Sequence, residues 1–188
     1  IDLFKINLKY LDDFFEYGSD KKLYKYFHNL SSFKSKKSAK IYLNELINRS
    51  NSTNSFWWFI YHKELKKVIG SIGTHNINHF NKSLEISYAL SEDFQGQGLF
   101  SDTLKLIIHR FIKENKFERI YAVTQRENNK SINALKRNFF IEEGILRNSV
   151  KGKNGKMYDS IILSFCKKLD FKNGKNSIND NKVFKTKH

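Results

Sequence analysis

The stretch Asp93-Phe94-Gln95-Gly96-Gln97-Gly98-Leu99-Phe100-Ser101 decides the fold of this chain. A strand-like run, residues 84–90, leads into it, and apolar residues then recur at helical spacing: Leu104, Ile107, Ile108, Phe111 and Ile112. Gly96 and Gly98 let the backbone approach a ligand closely, and the free N–H groups at a helix start favour an anion. The stretch therefore predicts a pyrophosphate-binding turn between a strand and a helix. An ordinary strand-to-helix turn that uses glycine is the alternative.

The loop also fits a longer pattern, Gln/Arg-x-x-Gly-x-Gly/Ala, in which Gln95 takes the first position and Gly98 the fourth. Phe100 departs from the last position. This pattern is the acetyl-CoA signature of the GNAT N-acetyltransferases, and here the chain resembles that family. The resemblance implies that acetyl-CoA is the co-substrate and that it lies against the loop residues: Gln95, Gly96, Gln97, Gly98, Leu99, Phe100 and Ser101.

A second segment strengthens the resemblance. Residues 122–131 read as a strand that leads into Asn128-x-x-Ser131, and the helix that follows exits through a run similar to Gly-Phe-x-x-Glu-Gly. Phe139 stands where that run usually has glycine. These features resemble the RimJ/RimL-like branch of the family, whose members acetylate ribosomal proteins.

Length and composition bound the fold. The chain has 188 residues, of which 39% are hydrophobic and 15% aromatic, enough for one substantial core. The resemblance covers about residues 1–169 and implies the α+β GNAT fold, in which helices flank a mixed, twisted central sheet. Residues 170–188 are interpreted as a separate basic tail rich in Asn and Lys.

The net charge of +15 indicates an anionic partner, such as nucleic acid, a membrane surface or a phosphorylated ligand. The lysines are scattered rather than gathered in one stripe, so a solvated surface explains most of the charge and nucleic acid is disfavoured. The longest apolar runs are only of strand length, which argues against a membrane span. A single cysteine and no signal-like segment predict a soluble, cytoplasmic protein without an internal disulfide.

Hydrophobic periodicity and turn residues predict the remaining elements. They are a strand over 3–8, helices over 11–27 and 35–48, hairpin strands over 56–62 and 68–73, a strand over 119–124, a helix over 131–138 and closing strands over 143–147 and 161–165. Ser35 or Ser38 is the expected N-cap of the second helix. Trp57 and Trp58 are adjacent in a strand and are therefore expected on opposite faces.

Acetyl transfer to an amine needs a base for the amine proton, a stabiliser for the thioester oxygen and an acid for the leaving thiolate. The resemblance places the base at Glu85. A strand carboxylate paired with a lysine is an equally good interpretation of that residue. The resemblance assigns the thioester oxygen to backbone N–H groups of Tyr88, Ala89 and Leu90.

The acid requires a substitute in this chain, because the tyrosine that many family members use corresponds to Leu135. The resemblance indicates Ser131, which lies near the thiol in RimL-like enzymes, and it places Asn128 on the pantetheine arm. The alternative is that Ser131 only caps its helix. Lys136 and Arg137 are candidates for the 3′-phosphate of CoA or for a solvated helix face.

Candidate contacts for the acceptor lie in two segments. Residues 73–79 are interpreted as a loop between strands, in which His75 is a base or an acceptor contact and His79 lies on the surface. No Cys, Asp or Glu set joins these histidines, so no metal site is predicted. Tyr158 and Asp159 occupy a hairpin that shapes the acceptor mouth in related enzymes. The substrate contacts expected from these patterns are His75, Glu85, Tyr158 and Asp159, although Asp159 could merely terminate a turn.

The sequence thus predicts direct transfer of acetyl from acetyl-CoA to a primary amine in a ternary complex. Because the chain is rich in lysine, a small amine on an anionic carrier, such as a nucleotide-linked amino sugar, fits the charge best, and polyamines are disfavoured. A protein N-terminus or ribosomal protein fits the branch resemblance equally well. A non-enzymatic module that binds acetyl-CoA or nucleic acid is the remaining alternative. A homodimer is compatible with each of these functions.

Overall fold

A mixed sheet organises the part of the chain that this computed structural model describes, which is residues 1–27, 30–50 and 55–167. The strands are β1 (Asp2–Lys5), β2 (Phe56–His62), β3 (Lys67–Asn78), β4 (Ser83–Leu90), β5 (Arg119–Gln125), β6 (Ile141–Lys151) and β7 (Met157–Cys166). The α-helices are α1 (Leu11–Gly18), α2 (Lys36–Ser50), α3 (Leu99–Ile108) and α4 (Asn129–Arg137). The α3 helix continues as a π-helix over His109–Glu114.

The strand order in the sheet is β1-β2-β3-β4-β5-β7-β6. The paired neighbours are antiparallel except β4 with β5, which are parallel. With helices packed on both faces, this is the α+β architecture with a mixed sheet that the sequence predicts, and the prediction is confirmed.

Two apolar clusters fill the space between the sheet and its helices. One packs α3 and α4 on what we call the α3–α4 face, and its fully buried members include Leu84, Ile86, Leu104, Ile107 and Leu135. The other packs α1 and α2 on the opposite, α1–α2 face, and it includes Phe14, Leu43, Leu46 and Phe59. Successive strand residues point to opposite faces, so Glu85 and Ser87 lie on the α1–α2 face. Trp57 and Trp58 also divide between the two clusters, as expected.

The sheet splits between its two parallel strands. Backbone pairing of β4 with β5 covers Ser83 to Glu85 against Arg119 to Tyr121 and then stops. Both strands continue beyond that point, β4 to Leu90 and β5 to Gln125. Their unpaired halves therefore border an opening in the middle of the sheet, where the candidate site lies.

The first helix is shorter than the sequence predicts. The prediction of one helix over 11–27 was wrong, because α1 ends at Gly18 and a 3₁₀ turn follows over Lys21–Tyr24. A Cβ at Gly18 would overlap the Phe33 ring, so a distant residue packs directly on the helix end. Asp20 then caps the 3₁₀ turn by accepting the Lys22 N–H at 2.9 Å. These contacts override the helical periodicity.

The third strand is longer than predicted. The interpretation of residues 73–79 as a loop was wrong, since β3 continues to Asn78 and His75 stands directly opposite Glu85 of β4. A bulge lies between His75 and Asn78, where Asn76 has a φ of 50°. A bulge re-aims neighbouring side chains while the strand continues, and this explains why polar residues occupy a strand end.

Smaller differences concern element ends. The predicted strand over 3–8 stops at Lys5, and a 3₁₀ turn occupies Leu8–Tyr10. Ser35 is the N-cap of α2, and its hydroxyl accepts the Ser38 N–H at 3.2 Å. The predicted tail, residues 170–188, lies outside the described residues. In the described part of the chain, no helix combines the length and apolar character needed to cross a membrane.

Candidate active site

The split between β4 and β5 opens into a cavity of about 2040 Å³. Residues 85–90 line one side and residues 122–125 the other. One end, which we call the glycine mouth, is formed by residues of the stretch 95–101 and by the start of α4. The other end, the aromatic mouth, is lined by aromatic side chains: Tyr24, Tyr26, Phe27, Phe33, Tyr42 and Trp57. The cavity therefore connects the two faces of the sheet.

Backbone N–H groups point into the cavity along the unpaired half of β4. The Ser91 N–H donates to the Ile69 carbonyl of β3 at 2.9 Å. Alternation along the strand then turns the N–H groups of Tyr88 and Leu90 to the opposite edge, toward the cleft. Ala89 lies two residues before Ser91, so the same alternation turns its N–H toward β3 and away from the cleft. The structure thus directs two of the three predicted N–H groups toward the cavity.

The glycine mouth has the geometry of an anion-binding turn. Gly96 and Gly98 have φ angles of 78° and 80°, a left-handed conformation that glycine adopts without strain. A Cβ built on either residue meets nothing within 4 Å, so both face open space. Gly98 is also the N-cap of α3 and provides no side-chain cap. The first N–H groups of this helix can therefore bind an anion such as a phosphate group.

Two glutamines hold this loop in different ways. Gln95 Nε2 donates to the Leu90 carbonyl at 3.0 Å, and Gln95 Oε1 accepts from Lys130 of α4 at 3.3 Å. Gln97 Nε2 turns back and donates to the Asp93 carbonyl at 2.8 Å. Gln95 borders the cavity, whereas Gln97 is absent from its lining. Both side chains therefore stabilise the loop.

The wall next to the glycines is apolar. Leu99 and Phe100 pack against the core of the α3–α4 face. The Phe100 ring centroid lies 4.1 Å from that of Tyr88, so the residue that departs from the family pattern forms part of the wall. Ser101 Oγ accepts a hydrogen bond from Asn138 Nδ2 at 3.0 Å, which joins α3 to the end of α4.

Ser131 and Tyr88 join the two sides of the cavity. The Tyr88 hydroxyl of β4 lies 2.7 Å from the Ser131 hydroxyl of α4. Burial raises the pKa of Tyr88 well above its usual range, and the Ser131 hydrogen bond offsets only part of that effect, so the phenol is protonated near neutral pH. Asn128 is the N-cap of α4, because its Oδ1 accepts the Ser131 N–H at 3.2 Å. The Ser131 hydroxyl is therefore not the helix cap.

Glu85 lies where β4 and β5 separate. Its Oε2 accepts from Asn76 Nδ2 at 2.8 Å and lies 3.8 Å from His75 Nδ1. His75 Nε2 lies 2.7 Å from Ser87 Oγ. Tyr121 faces the same carboxylate, and burial followed by the charge of Glu85 raises the pKa of its phenol. Among the described residues, the groups around this carboxylate are thus an amide, an imidazole and a phenol, in place of the lysine considered from the sequence.

Side chains from distant segments close the aromatic mouth. Trp57 lies over Gly73, where a Cβ would overlap the indole ring. Lys153 in the β6–β7 turn donates to Ser31 Oγ, so this turn contacts the segment between α1 and α2. Gln125 is buried in the wall, and its Oε1 has no hydrogen-bond donor within residues 1–27, 30–50 and 55–167. An acceptor atom is therefore available to a ligand.

Tyr158 and Asp159 lie in the β6–β7 hairpin, as the resemblance implies, but neither lines the cavity. The Tyr158 hydroxyl accepts from Asn154 Nδ2 at 2.8 Å. Asp159 accepts the Asn148 N–H at 2.9 Å and pairs with Arg126 at 3.6 Å. Their substrate contacts stay predictions. Nowhere in the described part of the chain do three His, Cys, Asp or Glu side chains form a group that could hold a metal ion.

The residues of the cavity wall that sequence reasoning missed include Ser87, Trp57 and the side chain of Tyr88. Strand alternation could have indicated Ser87, because it lies two residues after Glu85 on the same face. The contact between Tyr88 and Ser131 spans 43 residues of chain, and no local pattern predicts it.

A passage between two diverging parallel strands, with a glycine turn at a helix start on one side and a carboxylate on the other, defines an acyltransferase that uses a pyrophosphate-bearing thioester. Residues 2–140 match the model of the family described as "Acetyltransferase (GNAT) domain". The chain belongs to this family, and it is an acetyl-CoA-dependent N-acetyltransferase of GNAT type.

Individual relatives cover different shares of the chain. An uncharacterized N-acetyltransferase of Bacillus licheniformis is 29% identical over 168 residues, which are 89% of this chain and 93% of that protein. The ribosomal-protein-serine acetyltransferase of Escherichia coli K12 is 36% identical over 89 residues, 47% of this chain and 49% of that protein. The self immunity acetyltransferase MccE, solved with acetyl-CoA and AMP, superposes with a TM-score of 0.79 at 23% identity over 87% of this chain and 91% of that chain.

Proposed function

We propose that this enzyme transfers acetyl directly from acetyl-CoA to the primary amine of a small anionic acceptor, such as a nucleotide-linked amino sugar. The observation that carries the proposal is the cavity between β4 and β5, which opens to both faces of the sheet. Such a passage suits a ternary complex, because the amine can reach the thioester from the side opposite to the cofactor. Holding both reactants in this way supplies much of the catalytic effect.

The residues of the glycine mouth are the proposed site for acetyl-CoA, which supplies the activated acetyl group. The pyrophosphate is assigned to backbone N–H groups within 96–101, because both glycines face open space there. Asn128 lines the cavity at the start of α4 and is assigned to the pantetheine arm. The N–H groups of Tyr88 and Leu90 are the proposed donors to the thioester oxygen, where negative charge grows during transfer.

Ser131 is the proposed proton donor to the thiolate. Its hydroxyl is in contact with Tyr88 at 2.7 Å, and a protonated phenol that donates to Ser131 leaves the serine proton free to point toward the sulfur. Glu85 is the proposed base for the amine proton, directly or through a neighbouring group. Each proton transfer of this kind contributes about 10²- to 10⁴-fold to the rate.

The lining of the aromatic mouth supports an acceptor with a planar ring and negative charge. Six aromatic side chains border it, and aromatic rings stack on planar groups such as nucleobases. Lys22 and Lys25 border the same mouth, and ammonium groups bind phosphate oxygens. The presence of AMP in the MccE structure is consistent with a nucleotide-bearing acceptor.

A protein N-terminus is the second candidate acceptor. It is favoured by the relative from Escherichia coli, whose name assigns it to a ribosomal-protein serine. A solved neighbour from Vibrio fischeri is named for the alanine of ribosomal protein S5, with a TM-score of 0.75 at 23% identity. An α-amino group of a peptide could reach Glu85 through the same mouth.

A panel of amines tests this proposal. The purified chain is supplied with acetyl-CoA and, in turn, with a nucleoside-diphosphate amino sugar, the same amino sugar without its nucleotide, a basic peptide with N-terminal serine, and spermidine. Thiol release and acetylated product are both measured. We expect the nucleotide-linked amine to react fastest, its KM to rise with salt, and the free sugar to react poorly.

Other outcomes contradict parts of the proposal in distinct ways. A preference for the peptide would support the second candidate and reject the anionic acceptor. A preference for spermidine would show that the argument from charge is wrong. Thiol release without acetylation of any amine would contradict the transfer itself.

A further inference from the structure

A second set of hydroxyl and titratable side chains, besides Ser131 and Tyr88, lies on the α1–α2 face of the cavity. It consists of Ser87, His75 and Glu85, which line the cavity together. His75 Nε2 lies 2.7 Å from Ser87 Oγ, and His75 Nδ1 lies 3.8 Å from Glu85 Oε2. The side chains of His75 and Glu85 are 29% and 15% exposed. A hydroxyl, an imidazole and a carboxylate therefore follow one another in a half-buried row that ends at the cavity.

Strand geometry fixes this row. His75 stands directly opposite Glu85 in the β3–β4 register, and Gly73 stands opposite Ser87. Opposite and diagonal neighbours on one face of a sheet are close enough for their side chains to touch. The indole of Trp57 fills the space over Gly73, and the imidazole of His75 leans along the strands toward Ser87.

The row also lies where the reaction has to occur. Pairing of β4 with β5 stops at Glu85, so Ser87 is the first residue of the unpaired half of β4 that faces the acceptor side. Tyr88 follows immediately, and its N–H points into the cleft as a proposed partner of the thioester oxygen. The Ser87 side chain is therefore one residue along β4 from the proposed donor to the thioester oxygen.

We infer that Ser87 takes the amine proton and passes its own proton to His75, while Glu85 acts as a positioning residue that holds the imidazole. This inference rests on the proposed function and replaces Glu85 as the direct base. The amine electron pair forms the N–C bond, and the C–S bond breaks with its pair on sulfur. One N–H proton moves to Ser87 Oγ as the Ser87 proton moves to His75 Nε2. The imidazolium then returns this proton to water, while sulfur receives one from Ser131, which regains it from water.

The contacts that the Glu85 carboxylate already makes favour this route over direct transfer to Glu85. Asn76 of β3 already donates to Glu85 Oε2 at 2.8 Å, and Tyr121 of β5 faces the same carboxylate. These contacts occupy the carboxylate and hold it in place. An imidazole changes its charge within the physiological pH range, so it suits the removal of a proton near neutral pH.

The tautomer of His75 in the free protein is the first test, and it needs neither substrate. In ¹⁵N-labelled protein near pH 8, a His75→Gln variant identifies the ring signals by their loss. We expect the proton on Nδ1, toward Glu85, and a bare Nε2 that accepts from Ser87. A proton on Nε2 would overturn the inference, because Ser87 would then have no base to receive its proton.

Kinetics with the fastest amine of the panel are the second test. We expect His75→Gln and Ser87→Ala each to lower kcat by about 10²- to 10⁴-fold, with the Kd of CoA unchanged in calorimetry. The double variant should be no slower than either single one, because the two side chains act as a unit. His79→Gln is the matched control, since His79 lies four residues away on the surface and should leave the rate unchanged.

The effect of Glu85→Gln on kcat distinguishes the two routes. If Glu85 were the direct base, Glu85→Gln would cost more than His75→Gln, and that order would reject the inference while the proposed function stands. A His75→Gln variant that matches His79→Gln in kcat would reject it as well. If wild-type protein acetylates none of the amines, the proposed function fails and the inference fails with it.

Discussion

The two mouths of the cavity are built in opposite ways. The glycine mouth consists mainly of consecutive residues, and its proposed ligand-binding atoms are backbone N–H groups that the conformation of Gly96 and Gly98 exposes. The aromatic mouth is built from side chains of separate segments, which are the segment between α1 and α2, helix α2 and strand β2. Under the proposed function, the cofactor binds to a backbone site, whereas the acceptor binds to a side-chain site that substitutions can alter.

The largest expected effect lies at the boundary between the mouths. Ser131→Ala should lower kcat by about 10²- to 10⁴-fold, because the thiolate loses its proton donor, and the Kd of CoA should change little. Stopped-flow thiol release and calorimetry measure the two quantities.

Asn128→Ala is the comparison variant for Ser131→Ala. Asn128 caps α4, so its loss should lower the free energy of unfolding by about 0.5–2 kcal/mol, whereas Ser131→Ala should not. If Ser131→Ala destabilised the protein as much and left kcat intact, Ser131 would be a structural residue only.

The second prediction concerns the glycine mouth alone. Gly98→Val places a branched side chain in the open space of the turn at a φ of 80°. The loss of one hydrogen bond to a charged phosphate is worth about 1.5–3 kcal/mol, so the Kd of CoA should rise by about 10- to 100-fold. Calorimetry measures it, and the KM of the amine should stay unchanged.

Gly155→Val is a matched control for this strain. Gly155 lies in the β6–β7 turn with a φ of 78°, and a Cβ there also meets nothing within 4 Å. The Gly155→Val variant should therefore have a similar conformational cost in the free energy of unfolding, with no change in the Kd of CoA. Equal loss of CoA affinity in both variants would mean that the cost is conformational and that the glycine mouth is not the phosphate site.

The third prediction concerns the aromatic mouth alone. Gly73→Ala adds a Cβ that overlaps the Trp57 ring, and the ring has to move toward the cavity. Such overpacking lowers the free energy of unfolding by about 1–3 kcal/mol. Because the displaced ring also changes the shape of the aromatic mouth, we expect the KM of the amine to rise about tenfold, with the Kd of CoA unchanged. Gly144→Ala, where a Cβ meets nothing within 4 Å, should leave both constants unchanged. A parallel loss of CoA affinity in Gly73→Ala would show that the mouths are coupled.

The same contrast explains what could be predicted from the sequence. The turn at 95–101 and its flanking strand and helix were predictable, because glycine placement and apolar periodicity are local signals. The contact of Ser87 with His75 spans 12 residues, and that of Tyr88 with Ser131 spans 43. Contacts of this kind depend on the register between strands and on helix packing, which no local pattern carries.

The predicted ends of α1 and β3 were wrong for a similar reason. The first helix was predicted over 11–27, but packing of Phe33 on Gly18 ends it. His75 was assigned to a loop, although pairing with β4 extends β3 through it. Tertiary contacts decide both cases and override local preference. Phe139 shows the converse, since its φ of 66° lies in the left-handed region that favours glycine, the residue that the resemblance implies there.

The smallest expected effect concerns an ion pair on the side of β5 away from the glycine mouth. Arg119 of β5 forms two hydrogen bonds to Glu143 of β6, and Ser164 of β7 donates to the same carboxylate. The Arg119 hydrogen bonds, which outweigh the opposing effect of burial, lower the pKa of Glu143 from 4.5 to about 2. The folded-state pKa is depressed, so this carboxylate stabilises the fold above pH 4.5 and loses that contribution as the pH falls toward 2.

Melting curves of wild type and Glu143→Gln between pH 7 and pH 2 measure this contribution. Because the pair is exposed and screened by solvent, we expect wild type to be more stable by less than about 1 kcal/mol near neutral pH, and the difference should vanish as the pH approaches 2. Glu142→Gln, which removes the neighbouring carboxylate that pairs with Lys136 at 2.7 Å, controls for the loss of one surface charge. The Kd of CoA at pH 7 should be the same in all three proteins, because the contact lies on the side of β5 away from the glycine mouth. A difference that persists at pH 2 would show that the glutamine acts through packing and not through the lost charge.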